Sequence, residues 1–171
     1  LKSWTGNSTA TLVFDSTVDD FSPDGLYNAV QGKKNIAVIG FTTDGDVFGG
    51  FYSVAVTQQM TDFYDPNMFI FSFESHGRCP TPRMFAVRED LKVSARVQFF
   101  KNPSKGFVTF WTNGYSGFWL GDESSNSFCT NLSCGFEEIE DTTLTGTNNP
   151  DPGDNGQYHH CSRLVAVHLA N

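Results

Sequence analysis

Soft metal ligands are concentrated in the last third of the chain, at Cys129, at Cys134 and in the run His159-His160-Cys161. Zinc requires thiolate and imidazole groups that converge on a tetrahedron. The C-x4-C spacing is at the wide limit for a zinc knuckle. Adjacent histidines on a strand face opposite ways, so only one of them could join the thiols. We therefore predict buried cysteines with a surface histidine, and no bound metal or other cofactor.

The same side chains could support nucleophilic catalysis, with Cys129 or Cys161 as the nucleophile and His160 as the base. This alternative would make the protein a hydrolase-like enzyme. The sequence contains no nucleophile elbow or comparable local motif that would fix the geometry of such a set. We assign no catalytic residue and favour a non-catalytic role, while the enzymatic alternative stays open.

Acidic residues are paired at Asp19-Asp20 and Asp122-Glu123 and recur between Asp151 and Asp154. Calcium could use such carboxylates, but none of the three segments has the alternating spacing that marks an EF-hand loop. Asp side chains also form turns by accepting hydrogen bonds from their own backbone two residues further on. We predict turns at these positions.

Aromatic side chains at Trp111, Tyr115, Phe118 and Trp119 could form a platform on which sugar rings stack. That arrangement would make the protein a carbohydrate-binding β-sandwich, which we keep as a further alternative. Large aromatic residues at alternating strand positions are more typical of a core. We predict that these four residues are buried.

Strand signals dominate the elements that must position these groups. Apolar runs predict strands over 11–14, 36–41, 47–56, 68–73, 93–100, 106–111, 117–120 and 164–169. Asp44-Gly45 predicts a tight hairpin between the second and third strands. A helix should begin after the cap residue Ser22, with Pro23 in its first position, and end at Gly32.

Two further segments complete the expected fold. Residues 136–140 could form a short helix or a strand edge, and residues 147–157 read as a long surface loop. The whole pattern predicts a mostly β fold, in which a two-sheet antiparallel β-sandwich is flanked by one or two short helices.

The composition indicates one domain over residues 1–171, since 39% of the residues are hydrophobic and 17 are Phe. A net charge of −8 argues against binding to nucleic acid or to an anionic membrane surface. The apolar runs are too short for membrane insertion. The chain begins at Leu1 rather than Met, so we expect a processed or excised piece whose targeting signals lie elsewhere.

A pair of glycines interrupts one predicted strand, in the run Val47-Phe48-Gly49-Gly50-Phe51. Glycine inside a strand marks a bulge or a place where another group approaches too closely for a Cβ. The next strand carries the aromatic run Phe69-Ile70-Phe71-Ser72-Phe73. We therefore predict that the glycine pair has a structural role.

These two strands, taken in order, resemble the TLDc domain of eukaryotic oxidation-resistance proteins, and in particular a divergent branch from unicellular eukaryotes. Other segments similar to that family cover nearly all of the chain: Leu1-Lys2-Ser3-Trp4-Thr5-Gly6, Val13-Phe14-Asp15-Ser16 with Asp19, Ser75-His76-Gly77-Arg78, Thr142-Thr143-Leu144-Thr145-Gly146 and Arg163-Leu164-Val165. The family motif falls on Phe48, Gly49, Gly50, Phe71, Ser72, Gly117 and Trp119.

The resemblance implies a β-sandwich flanked by helices, a role in the response to oxidative stress, and binding to the vacuolar-type proton ATPase. It also implies a reduced, cytoplasmic protein, and the family has no established reaction. The chain departs from the animal pattern at Asn126, where Gly-x-Ser would precede the cysteine, and at His168 near the end.

From these observations together we expect a monomeric, non-catalytic protein-interaction domain whose partner could be a subunit of that ATPase. Exposed loops on a rigid β scaffold are common recognition sites, and an acidic surface favours a basic partner. The predicted partner surface consists of Asp122, Glu123, Asp151 and Asp154.

Overall fold

A computed structural model describes residues 1–113, 115–150 and 156–171. The strands within this part of the chain are β1 (Thr9–Asp15), β2 (Ile36–Thr42), β3 (Val47–Tyr52), β4 (Phe63–Tyr64), β5 (Phe69–Glu74), β6 (Arg83–Ala86), β7 (Arg96–Phe99), β8 (Val108–Thr112), β9 (Ser116–Leu120), β10 (Cys129–Thr130) and β11 (Cys161–Ala170). The helices are α1 (Lys2–Thr5), α2 (Pro23–Val30) and α3 (Leu132–Gly135), with 3₁₀ turns at Glu89–Ser94 and Pro103–Lys105.

The strands form two antiparallel sheets. One has six strands in the order β1-β11-β2-β3-β5-β6, and the other has five in the order β10-β9-β8-β7-β4. Strands hold 38% of the residues and helices 15%, which confirms the predicted mostly β fold and its two-sheet sandwich. The last strand, β11, lies between β1 and β2 and pairs with both.

Aromatic side chains fill the space between the sheets. Phe110 and Phe118 stack with their ring centroids 5.3 Å apart, and Phe48 meets Phe118 edge to face at 5.1 Å. All three are fully buried. Because alternate strand residues point to opposite faces, this packing fixes which face of each sheet looks outward.

The outer face of the six-stranded sheet carries a second apolar cluster, which α1 partly covers. Trp4 of α1 stacks on Phe73 with a centroid separation of 5.8 Å and lies 5.9 Å from Phe71. Phe71 is fully buried there. Two apolar faces explain why β3 and β5 read as nearly continuous hydrophobic runs.

Two local predictions are confirmed. β2 and β3 form a hairpin in which Gly45 has φ = 92°, a conformation that glycine adopts without a Cβ penalty. The hydroxyl oxygen of Ser22 accepts a hydrogen bond from the Gly25 N–H at 3.0 Å and caps α2. This helix buries Leu26 and Val30 against the core.

Other boundaries were predicted wrongly. β3 ends at Tyr52 rather than at residue 56, because the Ser53 N–H and hydroxyl turn away to donate to the Asp65 carboxylate. The strand expected over 93–100 begins only at Arg96, since the preceding residues form a 3₁₀ turn in which Val93 is 87% exposed. Residues 136–140 make one isolated bridge, from Phe136 to Val87, before the chain turns.

The prediction missed five short elements, namely α1, α3, β4, β6 and β10. None of the helices in the described ranges has the length and apolarity needed to cross a membrane.

Candidate functional site

Gly50 faces the sandwich core. A Cβ built on it would lie 2.4 Å from the ring of Phe110, a distance that no real Cβ contact shows. Gly49 faces the other side, where its Cβ would lie 2.0 Å from the carbonyl oxygen of Val38. Neither glycine has a positive φ. Close approach of neighbouring groups, rather than an unusual backbone conformation, therefore requires glycine at both positions.

The other motif residues also make packing contacts. The β3–β5 register shifts between Val47 and Phe48, shortly before the glycine pair, where Phe73 of β5 is left without a partner in β3. The buried Ser72 pairs with Phe48 in that register. Gly117 lies opposite Trp111, and a Cβ on it would lie 3.0 Å from that indole.

Arg78 joins three segments that are distant in the sequence. Its Nε donates to the carbonyl oxygen of Thr143 at 3.1 Å, and its Nη2 donates to that of Leu144 at 3.3 Å. Nη2 also donates to the buried carboxylate of Asp46 at 2.5 Å, and His76 Nδ1 lies 2.9 Å from the same oxygen. Arg78 thus connects the 75–78 and 142–146 segments, both similar to the family, to the β2–β3 hairpin.

A second ion pair connects two more of these segments. Arg163 Nε donates to Asp15 Oδ1 at 3.0 Å, and the Leu164 N–H donates to Ser16 Oγ at 2.9 Å. The pKa of the Asp15 carboxyl is well below its usual value, mainly because the Arg163 side chain donates hydrogen bonds to it. The segments that resemble the family therefore bind one another in pairs, which is a structural role.

Both candidate nucleophiles are buried. Cys129 and Cys161 have 0% of their surface exposed, and burial raises the pKa of each thiol to about 12. A thiol with such a pKa is almost entirely protonated at neutral pH, and the thiolate is the reactive form. Within the described part of the chain, His160 makes no hydrogen bond to either sulfur. The arrangement lacks an activated nucleophile.

The residues weighed as zinc ligands do not converge. Cys134 is exposed on α3, whereas Cys129 is fully buried in the core. His159 is buried with its ring centroid 5.2 Å from that of Phe48, and burial lowers the pKa of His159 to about 3. Among the described residues, no group of three or more His, Cys, Asp or Glu side chains is placed to hold a metal ion.

The aromatic residues weighed as a platform divide into two groups. Phe118 is in the core, as predicted. Trp111 and Trp119 are only half-buried, and Tyr115 is 76% exposed. Because Phe110 and Phe118 point inward, their strand neighbours Trp111 and Trp119 lie on the outer face of the five-stranded sheet. The core role expected for Trp111, Tyr115 and Trp119 was wrong.

The acidic loop after β9 is organised by Asp122. Its Oδ1 accepts hydrogen bonds from the Ser124 N–H at 2.9 Å and the Ser124 hydroxyl at 2.7 Å, and it lies 3.0 Å from Ser125 Oγ. Burial acts to raise the pKa of Asp122, but these hydrogen bonds outweigh it and the pKa is lowered. Glu123 is exposed beside this turn.

The remaining acidic candidates fall into two classes. Asp19 Oδ2 accepts the Asp15 N–H at 2.8 Å and Asp20 Oδ2 accepts the Ser22 hydroxyl at 2.5 Å, so both shape a turn, as predicted. Asp151 and Asp154, predicted as part of the partner surface, lie outside the described residues.

Comparison with known proteins adds one finding to this geometry. The family model of the TLDc domain matches residues 1–153. No curated protein matches the chain. The strand β11 follows the matched range, yet it occupies an interior position in the six-stranded sheet.

Proposed function

Because the chain belongs to the TLDc domain family, we propose that it is a non-catalytic protein-interaction domain of an oxidation-resistance type of stress-response protein. In this role it acts by binding a partner and performs no reaction of its own.

The observation that carries this proposal is the burial of the groups best suited to covalent chemistry. Cys129 and Cys161 are fully buried with raised pKa values, and the neighbouring His159 is buried with a lowered pKa. These shifts favour the uncharged form of each group, whereas an active nucleophile needs a thiolate beside an accessible base. The hydrolase-like alternative loses both of its candidate nucleophiles by this argument.

The loop after β9 is the best binding surface for such a domain. Asp122 holds the turn through its hydrogen bonds to Ser124, so Glu123 is presented to solvent from an ordered backbone. The protein carries a net charge of −8. An exposed carboxylate in that field attracts a basic surface and speeds the encounter.

Family membership supports a subunit of the vacuolar-type proton ATPase as the first partner to test. It also supports a domain that works in the cytoplasm. Both statements rest on the family, and the binding experiment is designed to test the partner and the surface separately.

The experiment is affinity capture from native lysate at low salt, with captured proteins identified by mass spectrometry. The test variant combines Asp122→Asn with Glu123→Lys, because Asn keeps the side-chain oxygen that Ser124 bonds. Glu137→Lys is the control for the Glu→Lys reversal, since Glu137 is an exposed acid on the turn beside β6.

We expect ATPase subunits among the proteins captured by the parent, reduced recovery by the test variant, and parental recovery by the control. All three proteins should melt at similar temperatures. Equal recovery by the parent and the test variant would place the surface elsewhere. If the parent captures other proteins but no ATPase subunit, the ATPase is not the partner.

A further inference from the structure

The outer face of the five-stranded sheet contains an open cavity of about 690 Å³. Sites for small ligands commonly have volumes of about 300–1,000 Å³. The residues that line this cavity include Gln98, Trp111, Trp119, Asn126, Phe128 and Tyr158. Its lining includes neither the buried thiols nor Asp122 and Glu123.

A cluster of contacting aromatic rings lies along the cavity, in edge-to-face and stacked pairs. The ring centroids of Trp111 and Trp119 are 4.8 Å apart, and Trp119 stacks on Phe128 at 4.2 Å. Tyr158 extends the series, 6.4 Å from Phe128. All four residues are half-buried. Clustered aromatic rings left open to solvent on the outer side of a sandwich indicate a binding surface, since the inner side already holds the core.

Polar groups beside these rings are free to bind a ligand. The side chains of Gln98, Asn126 and Lys105 line the cavity and make no hydrogen bond with the residues that the structure describes. Each carboxamide can donate and accept hydrogen bonds. Arg96, in contrast, is occupied, because its Nε lies 3.3 Å from the Asp62 carboxylate.

We propose that this cavity binds a neutral oligosaccharide. A pyranose ring presents an apolar C–H face, which can lie on an indole, and a rim of hydroxyl groups that both donate and accept hydrogen bonds. The half-buried indoles match the first feature, and the free carboxamides of Gln98 and Asn126 match the second.

The charge of the site disfavours a polyanion. Arg96 is paired with Asp62, so Lys105 is the one cation of the described lining that lacks an acidic partner. The net charge of −8 opposes a nucleic acid or a sulfated glycan at any distance within the Debye length.

The ring geometry disfavours a proline-rich peptide. Such peptides lie in grooves between aromatic side chains. Here the centroid separations of 4.8 Å between Trp111 and Trp119 and 4.2 Å between Trp119 and Phe128 mean that the rings touch one another. Rings in mutual contact leave no open slot between these aromatics, whereas their solvent-exposed parts remain available to a single sugar ring.

The test uses the 171-residue protein and four probes: maltohexaose, cellohexaose, chitohexaose and mannohexaose. Binding is measured by titration calorimetry and by tryptophan fluorescence. A heparin hexasaccharide and a decaproline peptide serve as counter-probes. We expect at least one neutral probe to bind at millimolar or lower concentration and to change the tryptophan emission, and neither counter-probe to bind.

Variants separate the site from the rest of the surface. Gln98→Ala combined with Asn126→Ala should weaken binding about tenfold or more, since two hydrogen bonds are lost. Trp119→Phe, which keeps a ring against Phe128 but removes part of the half-buried indole, should weaken binding several-fold. Tyr64→Ala is the control, because Tyr64 is a 58% exposed aromatic that does not line the cavity.

Three results would overturn the proposal. The first is that no neutral probe binds at millimolar concentration. The second is that heparin or decaproline binds more tightly than the neutral probes. The third is that the parent and the Gln98→Ala, Asn126→Ala variant bind the same sugar with equal affinity. The melting temperature of each variant is measured alongside. If the Gln98→Ala, Asn126→Ala variant is unfolded, the affinity of the parent is compared with that of Trp119→Phe instead.

Discussion

The ring of Phe110 lies over Gly50, so close that a Cβ on this glycine would be 2.4 Å from the ring. Phe110 belongs to β8 of the five-stranded sheet and Gly50 to β3 of the six-stranded sheet. This contact therefore sets how closely the two sheets approach at the centre of the sandwich. It also explains why the strand tolerates a residue that has low β propensity.

We predict that Gly50→Ala destabilises the protein by about 1–3 kcal/mol, because the added methyl group overpacks the core against Phe110. Urea unfolding measures the loss. In a Phe110→Leu background, Gly50→Ala should lower the free energy of unfolding by less, because the ring is absent. A double-mutant cycle quantifies the coupling between the two positions. An identical cost in both backgrounds would show that Phe110 is not the reason for the glycine.

The elements that could be predicted are those whose pattern extends over a whole strand. The run from Ile36 to Phe41 and the hairpin turn at Gly45 are examples. Two-residue strands such as β4 and β10 are too short to show a period, so nothing local indicates them. Val93 is misleading because it is apolar and β-branched yet 87% exposed on a 3₁₀ turn.

The candidate sites were harder to predict for two physical reasons. The contact between Asp46 and Arg78 joins residues 32 positions apart, and no local pattern specifies such a partner. In β8 and β9 the alternation places Phe110 and Phe118 on one face and Trp111 and Trp119 on the other. Both faces are aromatic, so periodicity cannot tell which one is the core.

His159 should make the fold sensitive to mild acid. Burial lowers its pKa to about 3, whereas an unfolded histidine has a pKa near its ordinary value of 6.5. Below that value the unfolded state binds the proton and the folded state does not, so stability falls as the pH falls. The loss from His159 is about 2 kcal/mol between pH 7 and pH 5.

Urea unfolding at several pH values measures this loss, with His159→Gln as the comparison. The variant should lose less stability between pH 7 and pH 5, whatever its stability at pH 7. The Asp15 carboxyl, whose pKa is also lowered, contributes a loss only nearer its ordinary value of 3.8 and below, so the two effects occupy separate pH ranges. If the free energy of unfolding changes equally with pH in the parent and in His159→Gln above pH 5, the assignment to His159 is wrong.

The cysteines should differ sharply in reactivity. Iodoacetamide should label the exposed Cys134 under native conditions and leave the buried Cys129 and Cys161 unmodified until the protein is unfolded in urea. Mass spectrometry of tryptic peptides gives the labelling rate of each site. Rapid native labelling of Cys129 or Cys161 would restore the hydrolase-like alternative, because it would require an accessible thiolate.

Residues beyond the family match should be essential for folding. A variant that ends at Gln157 lacks β11, which pairs with β1 on one side and β2 on the other. Its removal exposes both neighbours and takes the fully buried Leu164 out of the core. We expect the variant to show no cooperative thermal transition by circular dichroism. A cooperative melt would mean that the first 157 residues fold without β11.

The proposed partner surface should act mainly through the rate of association. A charge at the rim of an interface steers the encounter and changes the association rate constant more than the dissociation rate constant. Glu123 is exposed, and the backbone that carries it is held by the hydrogen bonds from Ser124 to Asp122. Glu123→Lys should therefore reduce the association rate constant several-fold at low salt and leave the dissociation rate constant nearly unchanged.

Surface plasmon resonance with the captured partner measures both constants over a range of sodium chloride concentrations. Salt screens exposed charges, so the parent should associate more slowly as salt rises, and the Glu123→Lys variant should show a flatter dependence. Glu137→Lys changes the net charge by the same amount at another exposed position and should keep the parental dependence. If Glu123→Lys and Glu137→Lys reduce the association rate constant by the same factor, net charge alone steers the encounter. The loop after β9 then has no special part in recognition.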